Sequence, residues 1–222
     1  MPDLEALYRF RFRESELPEK RRIWATLCRD FFQERVPAGG VIVDIACGYG
    51  EFINNISAAR KIGVDLNPDV KRFLDPSVEF HNVAVADLAR LGEGVADLVF
   101  TSNFLEHLKD KEELDRLFAA VLRLLKPGGR FLVLGPNIKY LAGAYWDFYD
   151  HYLPLSHLSL EEGLAQAGFD VVEVIPRFLP YTTRSALPKA PALISLYLKT
   201  PIAWPVLGKQ FLVTAQRPRG SA

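Results

Sequence analysis

A buried-strand signature running straight into a glycine turn constrains this chain more than any other feature. Val41-Ile-Val-Asp-Ile45 lacks the polar alternation of a half-exposed strand, so it reads as a strand covered on both faces. Gly48-Tyr-Gly50 follows at once, and small residues at the carboxyl end of such a strand let a ligand approach the backbone closely. Further strands are expected at 61–65, 78–83, 96–101 and 130–134. Helices are expected at 18–36, 51–59 and 111–125, the last carrying the stripe Leu114, Leu117, Val121, Leu124, Leu125 and ended by Pro127-Gly128-Gly129. Strands alternating with helices at this spacing argue for an open, mostly parallel α/β sheet with right-handed crossovers.

Beyond Gly135 the character changes. Ten of the fifteen prolines lie from Pro127 onward, so the regular alternation cannot continue unbroken. A helix is expected at 159–167, with Ser159 as N-cap and Glu162 as its capping-box partner. Closing strands are expected at 171–175 and 211–216. No internal repeat and no Gly/Ser-rich linker divides the 222 residues, so one domain is expected over 1–222. A helical arm (1–37) precedes the sheet, and lid or insertion segments (138–158 and 178–208) follow it.

Charge and cysteine content exclude several function classes. Lys+Arg and Asp+Glu both number 27, so the basic surplus that a nucleic-acid binder needs is missing. The arginine-rich start is no exception, because its first 35 residues hold 8 basic and 7 acidic side chains. Cys28 and Cys47 stand without CxxC spacing or a histidine cluster beside them; neither a disulfide framework nor a metal site is expected. The amino terminus carries charge where a signal peptide needs an apolar core, and no uninterrupted apolar run is long enough to span a bilayer. A soluble, cytoplasmic protein is the expectation. The apolar, proline-broken segment 187–207 reads as a cap over the sheet or a dimer surface, with peripheral membrane contact as the alternative. The oligomeric state is not legible.

The acids around the turn speak to its ligand. The second strand ends in Asp65, 21 residues after Asp44, where a carboxylate can accept hydrogen bonds from both ribose hydroxyls of a nucleoside. A pyrophosphate turn wants a third glycine in G-x-G-x-x-G, and Ile53 stands there. Asp44 and Glu51 would repel a diphosphate but suit an ammonium and a sulfonium. The pattern favours S-adenosylmethionine over a nicotinamide dinucleotide. A nicotinamide-dependent oxidoreductase on a similar sheet and a non-catalytic binding scaffold are the alternative functions.

VDIACGYG, GVDLNP, Ala86-Asp-Leu88, ADLVFTSNFLEHL and LLKPGGRFLVLGPN, in this order, resemble the motifs of class I S-adenosylmethionine-dependent methyltransferases. The resemblance implies a Rossmann-like sheet of seven strands, helices on both faces and the last strand antiparallel. It implies Asp44, Ala46 and Gly48 at the methionine part of the cofactor, Ala46 standing where the family has glycine. It places Asp65 on the ribose, Leu66 and Asn67 near the adenine, Asp87 on the exocyclic amine, and Leu88 and Asn103 beside them. The segment 145–169 is similar to methyltransferases of polysaccharide and secondary-metabolite clusters, which implies an O-methylated small-molecule or glycan-linked acceptor.

Methylating a hydroxyl requires removal of its proton, usually by His, Asp or Glu within hydrogen-bond reach. His81 lies within a strand and reads as structural. His107 follows the fourth strand, where it either lines the pocket or caps the next helix. His151 and His157 lie in the aromatic segment, and His151 is the expected base because Asp147 or Asp150 could orient it. Tyr145, Trp146 and Tyr149 are candidates to wall the acceptor site, with ordinary core packing as the competing role. Residues 8–13 read as a lid in which Arg9 or Arg11 reaches a carboxylate, or as a solvated arm.

Overall fold

A computed structural model describes residues 17–181 and 190–220. The expected lid over 8–13 lies outside them. The chain forms one seven-stranded sheet in the order β3-β2-β1-β4-β5-β7-β6. Its strands are β1 (Val41–Ile45), β2 (Arg60–Val64), β3 (Val78–His81), β4 (Ala96–Ser102), β5 (Leu125–Pro136), β6 (Asp170–Ile175) and β7 (Gln210–Gln216). The first five pair in parallel, and β7 runs antiparallel to both β5 and β6. This is the sheet that the resemblance implies.

Period-two side-chain direction divides the core between the two faces of the sheet. Val43, Ile45, Val99, Phe131 and Val133 face α2 (Lys111–Leu124) and, through Leu160 and Leu164, α4 (His157–Gln166). Ile42, Leu98, Phe100, Leu132 and Leu134 face the opposite layer. That layer holds α1 (Leu17–Leu27), which continues through a π turn (Cys28–Phe32) and a 3-10 turn (Gln33–Arg35). In the widened turn the consecutive Phe31 and Phe32 are both buried, and Phe32 meets Phe52 and Phe100 edge-on. Each such ring contributes about 1.5–3 kcal/mol through burial.

Two helix expectations are corrected. Residues 51–59 form only a 3-10 turn, Ile53–Asn55, because their polar side chains serve the loop backbone instead. Asn54 donates to the Phe73 carbonyl (2.9 Å) and accepts from the Asp75 amide (2.8 Å), while Asn55 donates to the Glu51 carbonyl (2.8 Å). The helix expected at 159–167 begins at His157: Ser156 is its N-cap, accepting from the Ser159 amide (3.1 Å), and Ser159 Oγ returns the bond to the Ser156 amide (3.0 Å). Glu162 has no part in that box. The run Pro127-Gly128-Gly129, read as a stop between helix and strand, lies inside β5.

After β5 come the single turn α3 (Ile138–Leu141) and a 3-10 turn, Ala142–Asp147. Before β7 lie α5 (Pro191–Leu198) and α6 (Trp204–Leu207). Leu198, Ile194, Tyr197 and Trp204 pack onto the second core layer, which makes this segment a cap on its inner side. Leu196, Ile202 and Val206 remain exposed on the outer side. No described helix is long and apolar enough to cross a membrane. Ser156→Ala should lower stability by about 1 kcal/mol in chemical denaturation, the ordinary cost of deleting an N-cap.

Candidate active site

The sheet topology gathers the carboxyl ends of β1, β2 and β4 along one edge, since β1 lies between the other two. The chain leaves β1 through Ala46, Gly48 and Gly50, all with left-handed backbones (φ 57°, 51° and 75°). Gly50 also needs its missing side chain: a Cβ there would lie 2.5 Å from Asn54 Nδ2 and 2.7 Å from Leu74 Cδ2. Ala46 keeps a Cβ in a conformation that costs non-glycine residues about 1–2 kcal/mol. The departure from the family's glycine is therefore a backbone strain as well as a gain in bulk.

Asp65 fastens two tips together. Its Oδ2 accepts from the Gly48 amide (2.9 Å) and its Oδ1 from the Asn67 amide (2.9 Å). A carboxylate offers about four lone-pair sites, so each oxygen keeps capacity for a ligand hydroxyl. Burial raises the proton affinity of Asp65, and amides of Asn67, Gly48 and Leu66 pull it back. Asp44 lies deeper, 3 % exposed. Burial first, then Glu51 and Asp65, push its carboxyl well above the usual carboxylate range, against one backbone hydrogen bond from Ile53. Glu51 itself meets Lys20 of α1 at 2.6 Å, so its charge is partly compensated. Asp44 and Asp65 are thus the two acids that the fold buries at this edge.

The other expected cofactor residues fall into distinct settings. Leu66 is 57 % exposed at the tip of β2, an apolar surface beside Asp65. Asn67 spends its side chain capping the 3-10 turn that follows, accepting from the Asp69 amide (3.0 Å). Asp87 is half-buried and lies 3.4 Å from Arg90, a surface pair of small energetic consequence. Leu88 is fully buried in the first core layer, so its side chain does not face this edge. Asn103 leaves β4 exposed, with a left-handed backbone (φ 49°) that asparagine tolerates. Asn82 was not anticipated: its Nδ2 donates to the carbonyls of Asp65 and Leu66 (2.9 and 2.8 Å) and holds the loop that carries both. A surface concavity of about 300 Å³ between Asp97, Arg130 and Gln216 opens at the opposite edge of the sheet, away from these groups.

The aromatic segment packs against the loop after β4. The amides of Tyr152 and Leu153 donate to the Glu106 carbonyl (2.8 and 3.2 Å). His107 Nδ1 lies 3.0 Å from the Asp150 carbonyl and 3.2 Å from its Oδ2. Asp150, expected to orient His151, thus contacts His107; Asp147 is exposed. His151 is buried between Phe148 and Tyr145 and meets His107 edge-on. Glu106, His107 and His151 bring one ligand atom each within 4.8 Å of the others, a grouping that the cysteine-centred reading of metal chemistry missed. An acid adjacent to a histidine just past a strand tip was its only sequence signal.

Two of the acceptor-side candidates lie buried. Tyr145 is fully buried and donates to the Leu153 carbonyl (2.6 Å), so it takes the core role, with Trp146 and Tyr149 exposed above it. His157 is also buried, its Nδ1 accepting from Asn137 Nδ2 (2.9 Å) and its ring stacked on Tyr140. Asn137, a hub the sequence did not reveal, also donates to the Pro176 carbonyl (2.8 Å). Burial lowers the proton affinity of His157. His81 ends β3, and its carbonyl accepts from the Asp65 amide (3.3 Å).

A methyltransferase-domain family model matches residues 17–174, most of the chain. The chain belongs to the S-adenosylmethionine-dependent methyltransferase family. A tRNA (carboxymethyluridine(34)-5-O)-methyltransferase of Arabidopsis thaliana is 31% identical over 105 residues, covering 46% of this chain and 25% of that protein. A ubiquinone biosynthesis O-methyltransferase of Xanthomonas oryzae pv. oryzae is 31% identical over 105 residues, covering 43% of each. The chain thus spans less than half the length of these relatives. The crystal structure of an S-adenosylmethionine-dependent methyltransferase from Archaeoglobus fulgidus shares the fold, with a TM-score of 0.66 at 21% identity over 94% of this chain and 99% of that one.

Two substitutions probe the methyltransferase turn. Ala46→Gly should raise stability by about 0.5–1 kcal/mol, the relieved strain less the added unfolded-state entropy. Asp44→Asn tests the buried carboxyl. A carboxyl raised by folding stabilises the fold most when both states are protonated, and that contribution is lost as pH climbs from about 4 through its folded value. The Asn variant should therefore gain stability over the parent as pH rises from acid to neutral; urea midpoints that stay parallel across that range would contradict it.

Proposed function

We propose that this chain is an S-adenosylmethionine-dependent O-methyltransferase for a small-molecule or glycan-linked acceptor. One observation carries the cofactor assignment: Asp44 and Asp65, buried at neighbouring strand tips, flank a glycine turn with left-handed backbone. Two buried carboxylates with raised proton affinity form a place where a cationic nucleoside gains and a diphosphate loses. In this reading Asp65 accepts from the ribose hydroxyls, Leu66 and Asn67 flank the adenine, and Asp87 accepts from its exocyclic amine. The Leu88 backbone lies beside the adenine, while Asp44, Ala46, Gly48 and Asn103 border the methionine part. The bound cofactor supplies a sulfonium methyl group that carries its own electrophilicity.

The remaining work belongs to the acceptor side. The chain must hold a nucleophile in line with the methyl group and keep water out. In this reading the exposed Trp146 and Tyr149 cover the acceptor. The Glu106, His107 and His151 group, which includes the expected base, is where a hydroxyl proton would be lost. Oxygen as the methylated atom is supported by the two relatives named as O-methyltransferases. The zero net charge speaks against a polynucleotide acceptor.

Calorimetric titration tests the cofactor half directly: S-adenosylhomocysteine should bind and NADH should not. Asp65→Ala should weaken S-adenosylmethionine binding by about 1.5–3 kcal/mol, through loss of charge-assisted hydrogen bonds. An unchanged dissociation constant would mean that the ribose lies elsewhere.

A further inference from the structure

We infer that the outer side of the cap formed by α5 and α6 binds the surface of an anionic lipid bilayer, and so turns the acceptor side of the site toward that surface. Over 174–222 the sequence carries seven basic residues and no acidic one. The whole chain is neutral, so residues 1–173 hold the balancing negative excess. Five of the seven, Arg177, Arg184, Lys189, Lys199 and Lys209, precede β7 in the chain. Lys199, just after α5, and Lys209, just before β7, are exposed. Helix α1 packs alongside α5 and exposes Arg21 and Arg22, with Glu19 as its one acid. Asp30 reaches the same helix through the Ser195 hydroxyl, but its charge is met by Arg29 (2.6 Å).

The apolar part of the surface is built by the fold rather than by one amphipathic helix. Ile194, Tyr197, Leu198 and Trp204 turn inward onto the second core layer, which fixes α5 and α6 in place. Leu193 and Leu196 then stand exposed on α5, Ile202 in the 3-10 turn Pro201–Ala203, and Val206 on α6. Ile202 is 84 % exposed and Val206 71 %, so most of each branched side chain is offered to whatever lies outside. Bare aliphatic residues accompanied by cations, with no acid among them, are the pattern that enters the boundary between lipid headgroups and acyl chains. A second copy of this chain suits the surface badly, because an isologous pair would press like charges together. A polynucleotide would gain from the cations but not from the aliphatic side chains between them.

Position gives the surface a use. Gln210, the first residue of β7, pairs with Pro136, the last of β5, so the turn out of α6 lies at the edge where β1 releases the glycine turn. Arg177 joins that turn to the aromatic segment. Its Nε donates to the Gly208 carbonyl and its Nη2 to the Val206 carbonyl (2.8 Å each), while its guanidinium lies 4.9 Å from the centre of the Tyr140 ring. The exposed Trp146 and Tyr149 follow in the same segment, and such rings, apolar in body and polar at one end, sit well among headgroups. The inference deepens the proposed methyl transfer and rests on it for its purpose: it assigns an acceptor whose apolar tail stays in the bilayer while its hydroxyl reaches the site.

The test is co-sedimentation of the full chain with vesicles of equal parts phosphatidylcholine and phosphatidylglycerol, and with vesicles of phosphatidylcholine alone. The parent should pellet with the first at low salt, and the bound fraction should fall as salt is added. Ile202→Ser combined with Val206→Ser should weaken partitioning about tenfold or more. Lys199→Gln combined with Lys209→Gln should remove most of the preference for the anionic vesicles. These positions are exposed, so both variants should melt near the parent temperature. S-adenosylhomocysteine is titrated calorimetrically into the same samples. If it binds while the parent stays in the supernatant, the bilayer inference falls and the methyltransferase reading stands; if vesicles bind and the nucleoside does not, the reverse holds. Pelleting that neither variant reduces would overturn the assignment to this cap, and equal pelleting with both vesicle types would overturn the role of the cations. A parent dimer in sedimentation velocity, dispersed by the serine variant and indifferent to vesicles, would give the surface to a second copy instead. Should the serine variant melt early, Leu193→Ser combined with Leu196→Ser takes its place.

Discussion

One carboxylate holds two strand tips in register. The Asp65 side chain receives the amides of Gly48 and Asn67, so the turn after β1 and the loop after β2 cannot move independently. Everything else at this edge is arranged around that bridge. Asn82 supports the loop from the far side, and the His81 carbonyl takes the Asp65 amide. Buried acids are tolerated in proteins chiefly when such hydrogen bonds replace water. Asp65 has several and Asp44 a single backbone bond, and burial is the largest influence on the proton affinity of both.

The strands were legible because a parallel sheet covered on both faces demands uninterrupted aliphatic runs, and Val41–Ile45 and Ala96–Ser102 supply them. Helix α2 was equally plain, because its apolar stripe has the right period. What failed was the segment after the glycine turn. Its apolar residues, Phe52, Ile53 and Ile56, mimic a helical face, but Asn54 finds partners in the loop at Phe73 and Asp75, and Asn55 bonds the Glu51 carbonyl of its own turn. Those partners lie up to 21 residues away, beyond any local pattern. The same holds for Ser156 and Ser159, two serines that compete for one cap, where the identity of the winner depends on where the preceding loop leaves the chain.

Legibility also divides the site. The cofactor side is built from backbone and side chains within a few residues of strand ends, so a local motif carries most of it. The proposed acceptor side is built from encounters between distant segments: Asp150 with His107, His151 with Glu106, Asn137 with His157. Which histidine is structural and which is available cannot be read from spacing, because burial decides it. His157 contacts Asn137 and Tyr140, while the His107 side chain is partly exposed.

The cost at the β1 tip indicates what the site is for. Ala46 holds a strained backbone, and Asp44 is buried with like charges as its nearest electrostatic neighbours. Neither feature helps the free protein fold; two well-filled core layers, each rich in fully buried rings and branched aliphatics, offset them. Folds retain such local penalties where ligand binding reverses them. A cation entering between Asp44 and Asp65 would lower the proton affinity of both and turn their mutual repulsion into shared attraction.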